Sequence, residues 1–370
     1  MNRFDETAIA AGATDNGKPG ISRILLLTQL IAYSATTDPL EKNVMRAQAN
    51  AISEELIPVI DLSPLRSGEH PRSVAAALHA ASQSLGFIYV EGHGIRPETI
   101  AAARAAACRF FESSDEEKAE VLVSPQHRGW LGPGAARMQD DGPVDLKESF
   151  IWGYQDAAGH TDCDHPLRGP NQWPAFVPEL QAAAMAYYTQ AHALAKLLMQ
   201  GFALGLDLPY DFFLRSCERP ISRASFVYYP PQAQTAPPGQ FGVGAHTDFG
   251  VLTVLCQDDV GGLQVRDVTG NWLIAPPVEG TLVVNVGDLL SRWTDGAYKS
   301  TPHRVINSSG RRRLSLVLAF DPDPQTPVDA RDVYGAAYQP REEAISCGDY
   351  LLQRFARAFP YRDAPGSPAA

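Results

Sequence analysis

The spacing of apolar positions changes once along the chain. Before about residue 222 it is mostly helical, and after it the apolar residues fall into short β-rich runs. "IPVIDLS" (Ile57–Ser63) predicts a first strand and turn. In "RSVAAALHAASQSLG", Val74, Ala77, Leu78, Ala81 and Leu85 share a helical face, and Gly86 supplies the stop. "FIYVEGHGI" predicts a strand and turn, and "RPETIAAARAAACRFF" a second helix with Pro97 in its first turn. Residues 129–174 are rich in Gly, Pro and Asp and read mostly as loop. A long helix follows over about 178–205, with Leu180, Tyr187, Ala191, Ala195 and Leu198 on one face. Then come "ASFVYY", "VLTVLCQ", "GLQVRD", "NWLIAPP", "TLVVNVG", "HRVIN" and "RLSLVLAF", the pattern of an antiparallel sandwich or barrel. A final helix is expected over about 348–358, ahead of a tail rich in Pro and Ala. The plan is mainly β with flanking helices (α+β), a helical N-terminal part wrapped on a β-barrel. The expected divisions are an extension over 1–53, an α/β region over 54–175, a β domain over 176–360 and a tail over 361–370.

Composition narrows the function classes. The 370 residues are 45% hydrophobic, enough for a large core, and acidic residues outnumber basic ones 42 to 31, for a net charge of −11. Such a chain repels a phosphate backbone, so nucleic acid is not an expected partner. No run of eighteen apolar residues occurs, so no membrane span is expected. Five scattered cysteines (Cys108, Cys163, Cys217, Cys256, Cys347) read as reduced thiols in the cytoplasm. The short apolar run within Ile21–Ala35 follows about twenty mixed-charge residues and is interrupted by Thr28 and Gln29, so it reads as a loosely ordered extension and not as a secretory signal. Met45 stands as an alternative start, which leaves open whether residues 1–44 belong to the native chain.

The tripeptide His-Thr-Asp occurs twice, at His160–Asp162 and at His246–Asp248. A histidine and a carboxylate two residues apart are the local half of a two-histidine, one-carboxylate iron site. The first copy, in "AAGHTDCDHP", has no strand-like surroundings and reads as a solvated acidic loop; its rival reading is a separate cluster of His160, Asp162, Asp164 and His165. The second copy enters a β-run, where residues i and i+2 share a face, so His246 and Asp248 project together. His303, at the head of "HRVIN", is the best third ligand among nine histidines. His192 reads as packing or surface, and His70, His79, His93 and His127 as structural. Ten residues after His303, Arg313 and Ser315 share a strand face, with Leu314, Leu316 and Leu318 on the other. An inward arginine beside a hydroxyl is a carboxylate clamp, because the guanidinium forks onto two oxygens.

With these residues in place, the chain resembles the isopenicillin N synthase-like family of Fe(II)/2-oxoglutarate-dependent dioxygenases. The resemblance is carried by "VYYPP" (227–231), "GAHTDFGVLTVLCQDDVGGLQVRD" (244–267), "VVNVGDLLSRWTDGAYKSTPHRV" (283–305) and "RLSLVLAF" (313–320), and it spans about residues 54–360. It implies a double-stranded β-helix (jelly-roll) barrel, with iron held by His246, Asp248 and His303. It also implies a distal carboxylate of 2-oxoglutarate on Arg313, Ser315 and the hydroxyl of Tyr229. By the same resemblance, O2 is consumed, succinate and CO2 are released, and a small organic substrate is oxidised, most often hydroxylated. Two positions depart from the pattern: Val227, where many relatives carry Asn, and Ala319, where many carry an aromatic residue that Phe320 is expected to replace.

Three other readings stay open: a same-fold oxidase that uses no 2-oxoglutarate, a non-catalytic cupin-like binder or sensor, and a zinc hydrolase on the same ligands, in which the arginine clamp would lack a purpose. The identity of the substrate and the oligomeric state are not written in the sequence. The resemblance draws the substrate pocket partly from residues 127–154, with Arg128 and Phe150 as expected contacts beside Phe320, and with Trp130 and Trp152 either contacts or packing.

Overall fold

The computed structural model describes residues 57–136, 145–156, 165–231 and 241–359. The expected N-terminal extension, the His-Thr-Asp copy at 160–162 and the expected tail lie outside the described residues.

The expected elements form. Strands β1 (Val59–Asp61) and β2 (Phe87–Glu91) flank helix α1 (Pro71–Ser84), and helix α2 (Pro97–Phe111) follows. Val74, Leu78, Ala81 and Leu85 are buried, while Ala77 is exposed and Ala75 takes its place on the inner face. Helix α3 (Leu180–Gly205) buries all five residues of its expected face. Residues 129–174 depart from the loop reading: they hold β3 (Gly129–Leu131) and β4 (Glu148–Gly153), and every residue of both strands is buried. A strand covered on both faces shows no polar alternation, so a short apolar run among Asp, Pro and Gly concealed β4.

The β-rich half supplies β5 (Arg223–Tyr229), β6 (Val243–His246), β7 (Leu252–Cys256), β8 (Leu263–Arg266), β9 (Trp272–Ala275), β10 (Leu282–Val286), β11 (His303–Val305) and β12 (Arg313–Phe320). Helix α4 (Asp288–Trp293) follows β10, and helix α5 (Cys347–Ala358) closes the described chain. One sheet has eight strands in the order β1-β2-β10-β7-β12-β5-β4-β3, and a second has the order β6-β11-β8-β9. The architecture is a jelly roll of two sheets with helices on the outer face of the larger one.

Period-two alternation divides the core. Ala224, Phe226 and Tyr228 of β5 and Leu314, Leu316, Leu318 and Phe320 of β12 join the helices in one cluster. Val227 and Tyr229 join Val243, Leu263, Val265 and Val305 of the smaller sheet in another. The second cluster fills the space between the sheets, where the chemistry lies.

On the outer side, His192 of α3 is stacked on Tyr188 and tilted against Phe320, with ring centroids 5.4 and 5.2 Å away. Burial, aided by Lys196, pushes its pKa down to about 4. The folded chain therefore holds His192 neutral where the unfolded chain protonates it. This stabilising contribution is complete above pH ~6.5 and is lost as the pH falls toward 4, for a loss on the order of 3 kcal/mol. His192→Gln is expected to lessen the loss of thermal stability between pH 6.5 and 4. Melting curves that stay parallel to wild type across that window would refute this origin of acid sensitivity.

Candidate active site

His246 ends β6 and His303 begins β11, and the two are direct cross-strand partners with ring centroids 4.3 Å apart. Asp248 lies just past β6, so a turn, not strand alternation, brings its carboxylate round. Its Oδ1 stands 3.8 Å from Nε2 of both His246 and His303. The three candidate ligand atoms lie within 4.8 Å of one another, a spacing that one metal ion can bridge.

Neighbouring groups fix which atoms face inward. His246 Nδ1 lies 2.8 Å from the Gly244 carbonyl, and His303 Nδ1 lies 3.2 Å from that of Thr301. Carbonyls only accept, so each Nδ1 carries a proton and each Nε2 is the nitrogen turned toward Asp248. Burial, with the nearby His303, pushes the pKa of His246 down to about 3, which keeps it a neutral ligand at physiological pH. Burial works against the Asp248 charge, yet His303, His246, Asn285 and Thr253 together hold the carboxyl below its usual range. Asn285 Nδ2 donates to Asp248 Oδ2 at 2.7 Å, which orients the carboxylate. Two imidazoles and one carboxylate can hold a divalent first-row metal and leave part of its coordination open.

A second cluster sits where β12 pairs with β5. Arg313 is opposite Tyr229, and Ser315 is opposite Val227. Arg313 is 1% exposed; its Nε donates to the Gly261 carbonyl at 2.6 Å and Nη2 to Gln257 Oε1 at 3.3 Å. Its Nη1 and the Ser315 hydroxyl are buried and have no partner among the described residues. The guanidinium carbon lies 4.7 Å from the centroid of the Tyr229 ring. Burial pushes the Tyr229 hydroxyl above the usual phenol range, with Arg313 opposing in part, so it stays a donor at neutral pH. Buried donors left unsatisfied are costly, and a ligand carboxylate would satisfy both the Arg313 Nη1 and the Ser315 hydroxyl.

A cavity of about 160 Å³ opens on His246 and Asp248. Its wall includes Ser149 and Ile151 of β4, Ser225 and Val227 of β5 and Ala319 of β12. Phe150 and Phe320 occupy the alternate positions and point into the helix layer. Phe150 packs on Phe110 and Trp173 with centroids 4.8 and 5.8 Å away. The expectation that Phe320 fills the space above Ala319 is therefore corrected, because adjacent residues of a strand face opposite sides. Arg128 is likewise absent from the lining. Its Nη1 donates to the carbonyls of Gln126 and His127 at 3.2 and 3.1 Å, and its Nη2 to that of Leu167 at 3.2 Å. Trp130 donates to Glu148 at 2.7 Å, and Trp152 packs on Phe226, so both serve packing.

The lining draws on the expected 127–154 stretch through residues not singled out there, His127 and Lys147 among them, and on Arg223, Phe249, Phe355 and Phe359, which the sequence reading missed. His127 was expected to be structural, and its ring packs on those of Phe355 and Phe359 at 4.7 and 4.6 Å. The one available signal was parity, since Lys147 stands two residues before Ser149 at the head of β4. Among the described residues, no helix is long and apolar enough to cross a membrane.

Two family models match the chain. The non-haem dioxygenase N-terminal model, described from morphine synthesis, covers residues 57–176, and that of the 2OG-Fe(II) oxygenase superfamily covers 221–322. A 2-oxoglutarate-Fe(II) type oxidoreductase of Metarhizium majus is 31% identical, over 95% of this chain and 99% of its own length. A homoarginine-6-hydroxylase of Glycine max is 35% identical, over 75% of this chain and 89% of its own. A crystal structure of a full-length Neurospora crassa protein in complex with alpha-KG superposes with a TM-score of 0.73 at 30% identity, covering 81% of this chain and 95% of that one.

Arg128→Ala removes a buried guanidinium from three backbone carbonyls. The expected loss is about 3 kcal/mol, read as a lower melting temperature. An unchanged melting temperature would return Arg128 to the list of substrate contacts.

Proposed function

Because the chain belongs to the 2OG-Fe(II) oxygenase superfamily, we propose that His246, Asp248 and His303 hold Fe(II) and that Arg313, Ser315 and Tyr229 hold the distal carboxylate of 2-oxoglutarate. The family's reaction uses iron, 2-oxoglutarate and O2, and its members are oxidoreductases. The observation that carries the residue assignment is the convergence of two Nε2 atoms on one Asp248 oxygen, at 3.8 Å each. The partnerless Nη1 of Arg313 and hydroxyl of Ser315 support the second half. When bound, iron and 2-oxoglutarate supply O2 activation: one oxygen atom enters succinate as CO2 leaves, and the other is available to the substrate.

The chain's own side chains have separate tasks. The carbonyls of Gly244 and Thr301 hold the imidazole protons, so the ligand nitrogens stay free. Asn285 fixes one carboxylate oxygen and leaves the other for the metal. Arg313 forks onto the distal carboxylate, and the buried phenol of Tyr229 donates alongside it. The apolar wall of Leu131, Ile151, Val227, Phe249, Phe355 and Phe359 keeps water from the reacting centre. The reaction read here is hydroxylation of a small organic substrate in an isopenicillin N synthase-like enzyme. Residues 54–175 and 176–360 are taken as its N-terminal region and its jelly-roll domain. A cytoplasmic setting suits the four described cysteines, all of them free.

Anaerobic addition of Fe(II) and 2-oxoglutarate to the apo-protein is expected to give a visible charge-transfer band. His246→Ala should abolish it, and Arg313→Ala should weaken 2-oxoglutarate binding by about tenfold or more, as loss of a charged hydrogen bond predicts. Iron binding without a band would point to an oxidase that uses another carboxylate. A wild-type protein that binds no iron would overturn the assignment.

A further inference from the structure

Two cations line the cavity, and they differ in how they are satisfied. Arg223 is matched: its Nη2 lies 3.2 Å from Asp321 Oδ2, its Nη1 donates to the Ile221 carbonyl at 3.3 Å, and its guanidinium faces the Phe355 ring at 4.8 Å. Lys147 is matched only in charge. Its Nζ lies 3.9 Å from Asp145 Oδ2, beyond hydrogen-bond reach, and Asp145 Oδ1 is engaged by the Gly244 N–H at 2.9 Å. Among the described residues Lys147 makes no side-chain hydrogen bond, although its side chain is only 11% exposed. An ammonium withdrawn from water without hydrogen-bond acceptors is costly, and an anion in the cavity would offset that cost.

Position narrows the anion. Lys147, Ser149 and Ile151 fall on the cavity face at β4, and the Lys147 ammonium is close enough to Asp248 for their charges to interact. The rings of Phe249, Phe355 and Phe359 line the same cavity. Arg313 belongs to β12, with β5 between it and β4, and Arg313 does not line this cavity, whereas Lys147 does. We propose that Lys147 anchors a carboxylate of the primary substrate, so that the substrate is a small carboxylate-bearing molecule whose apolar body rests on the phenylalanine wall. This assignment rests on the oxygenase reading above.

The test uses the holoenzyme with Fe(II) and 2-oxoglutarate and a panel of small arylalkanoic and alkanoic acids, each paired with its isosteric carboxamide. The readouts are perturbation of the anaerobic band and stimulation of succinate release. Acids are expected to act and their amides to fail. Lys147→Met should weaken the response to the acids about tenfold to hundredfold with the band intact, and Lys147→Arg should restore part of it. Amides that act as well as acids, a panel of acids without any effect on wild type, or an unchanged response in Lys147→Met would each overturn the proposal. Loss of the band itself in Lys147→Met would assign the amine to 2-oxoglutarate and also overturn it. A wild-type enzyme that forms no band is a different failure, that of the oxygenase reading.

Discussion

The site depends on one constraint: the central strands of the large sheet are buried on both faces. Each must feed the helix layer with one set of alternate residues and the inter-sheet space with the other. In β10, Leu282, Val284 and Val286 go outward, Val283 goes inward, and Asn285 reaches Asp248. In β12 the outward leucines fix the register that turns Arg313 and Ser315 toward the interior. A slip of one residue would exchange the two sets and place the guanidinium among the helices, so the apolar packing itself determines where the polar groups point.

The same parity explains what the sequence disclosed and what it hid. Arg313 and Ser315 were legible because three leucines mark the opposite face of "RLSLVLAF". The His246–Asp248 pair was legible because a β-run surrounds it, although the carboxylate arrives by a turn. β4 carries no such mark: "ESFIWG" is buried throughout, with two aromatics on the helix side and a small hydroxyl and an isoleucine on the cavity side. Aromatic residues near a suspected pocket attract attention, yet here Phe150, Trp152 and Phe320 are core. The groups that meet the cavity from α5 and its end, Phe355 and Phe359, lie more than fifty residues beyond His303. Only tertiary packing brings them back, so no local pattern announces them.

Buried charge follows a consistent rule in this chain, which makes departures from it informative. Lys118 Nζ and the indole N–H of Trp130 both bond Glu148 Oε2, at 2.9 and 2.7 Å. Arg168 meets Asp156, and Arg223 meets Asp321. In these pairs each charge has a partner within about hydrogen-bond reach, which is what desolvated ions need if they are not to destabilise the fold. Arg313 Nη1 and the Ser315 hydroxyl are buried without a partner among the described residues, and the half-buried Lys147 makes no side-chain hydrogen bond among them. Polar groups that the fold itself does not need to satisfy are those available to ligands.

The cluster of His246, Asp248 and His303 draws on elements that are far apart in sequence, and one carboxylate at the head of α4 connects them. The Asp288 backbone N–H donates to the Asp248 carbonyl at 2.8 Å. Its Oδ2 accepts from the Thr247 hydroxyl at 3.2 Å, the residue between the two ligands of the tripeptide. Its Oδ1 accepts from Ser300 at 2.7 Å, three residues before His303. Tyr350 and Arg354 of α5 reach Oδ2 at 3.0 and 3.2 Å, and Phe355, next in sequence, lines the cavity. A displacement of α5, of the tripeptide turn or of the approach to β11 therefore strains the same side chain. The cavity wall and the His246–Asp248 segment share one anchor, so the geometry of the candidate metal cluster and the closure of the cavity are parts of a single hydrogen-bonded unit.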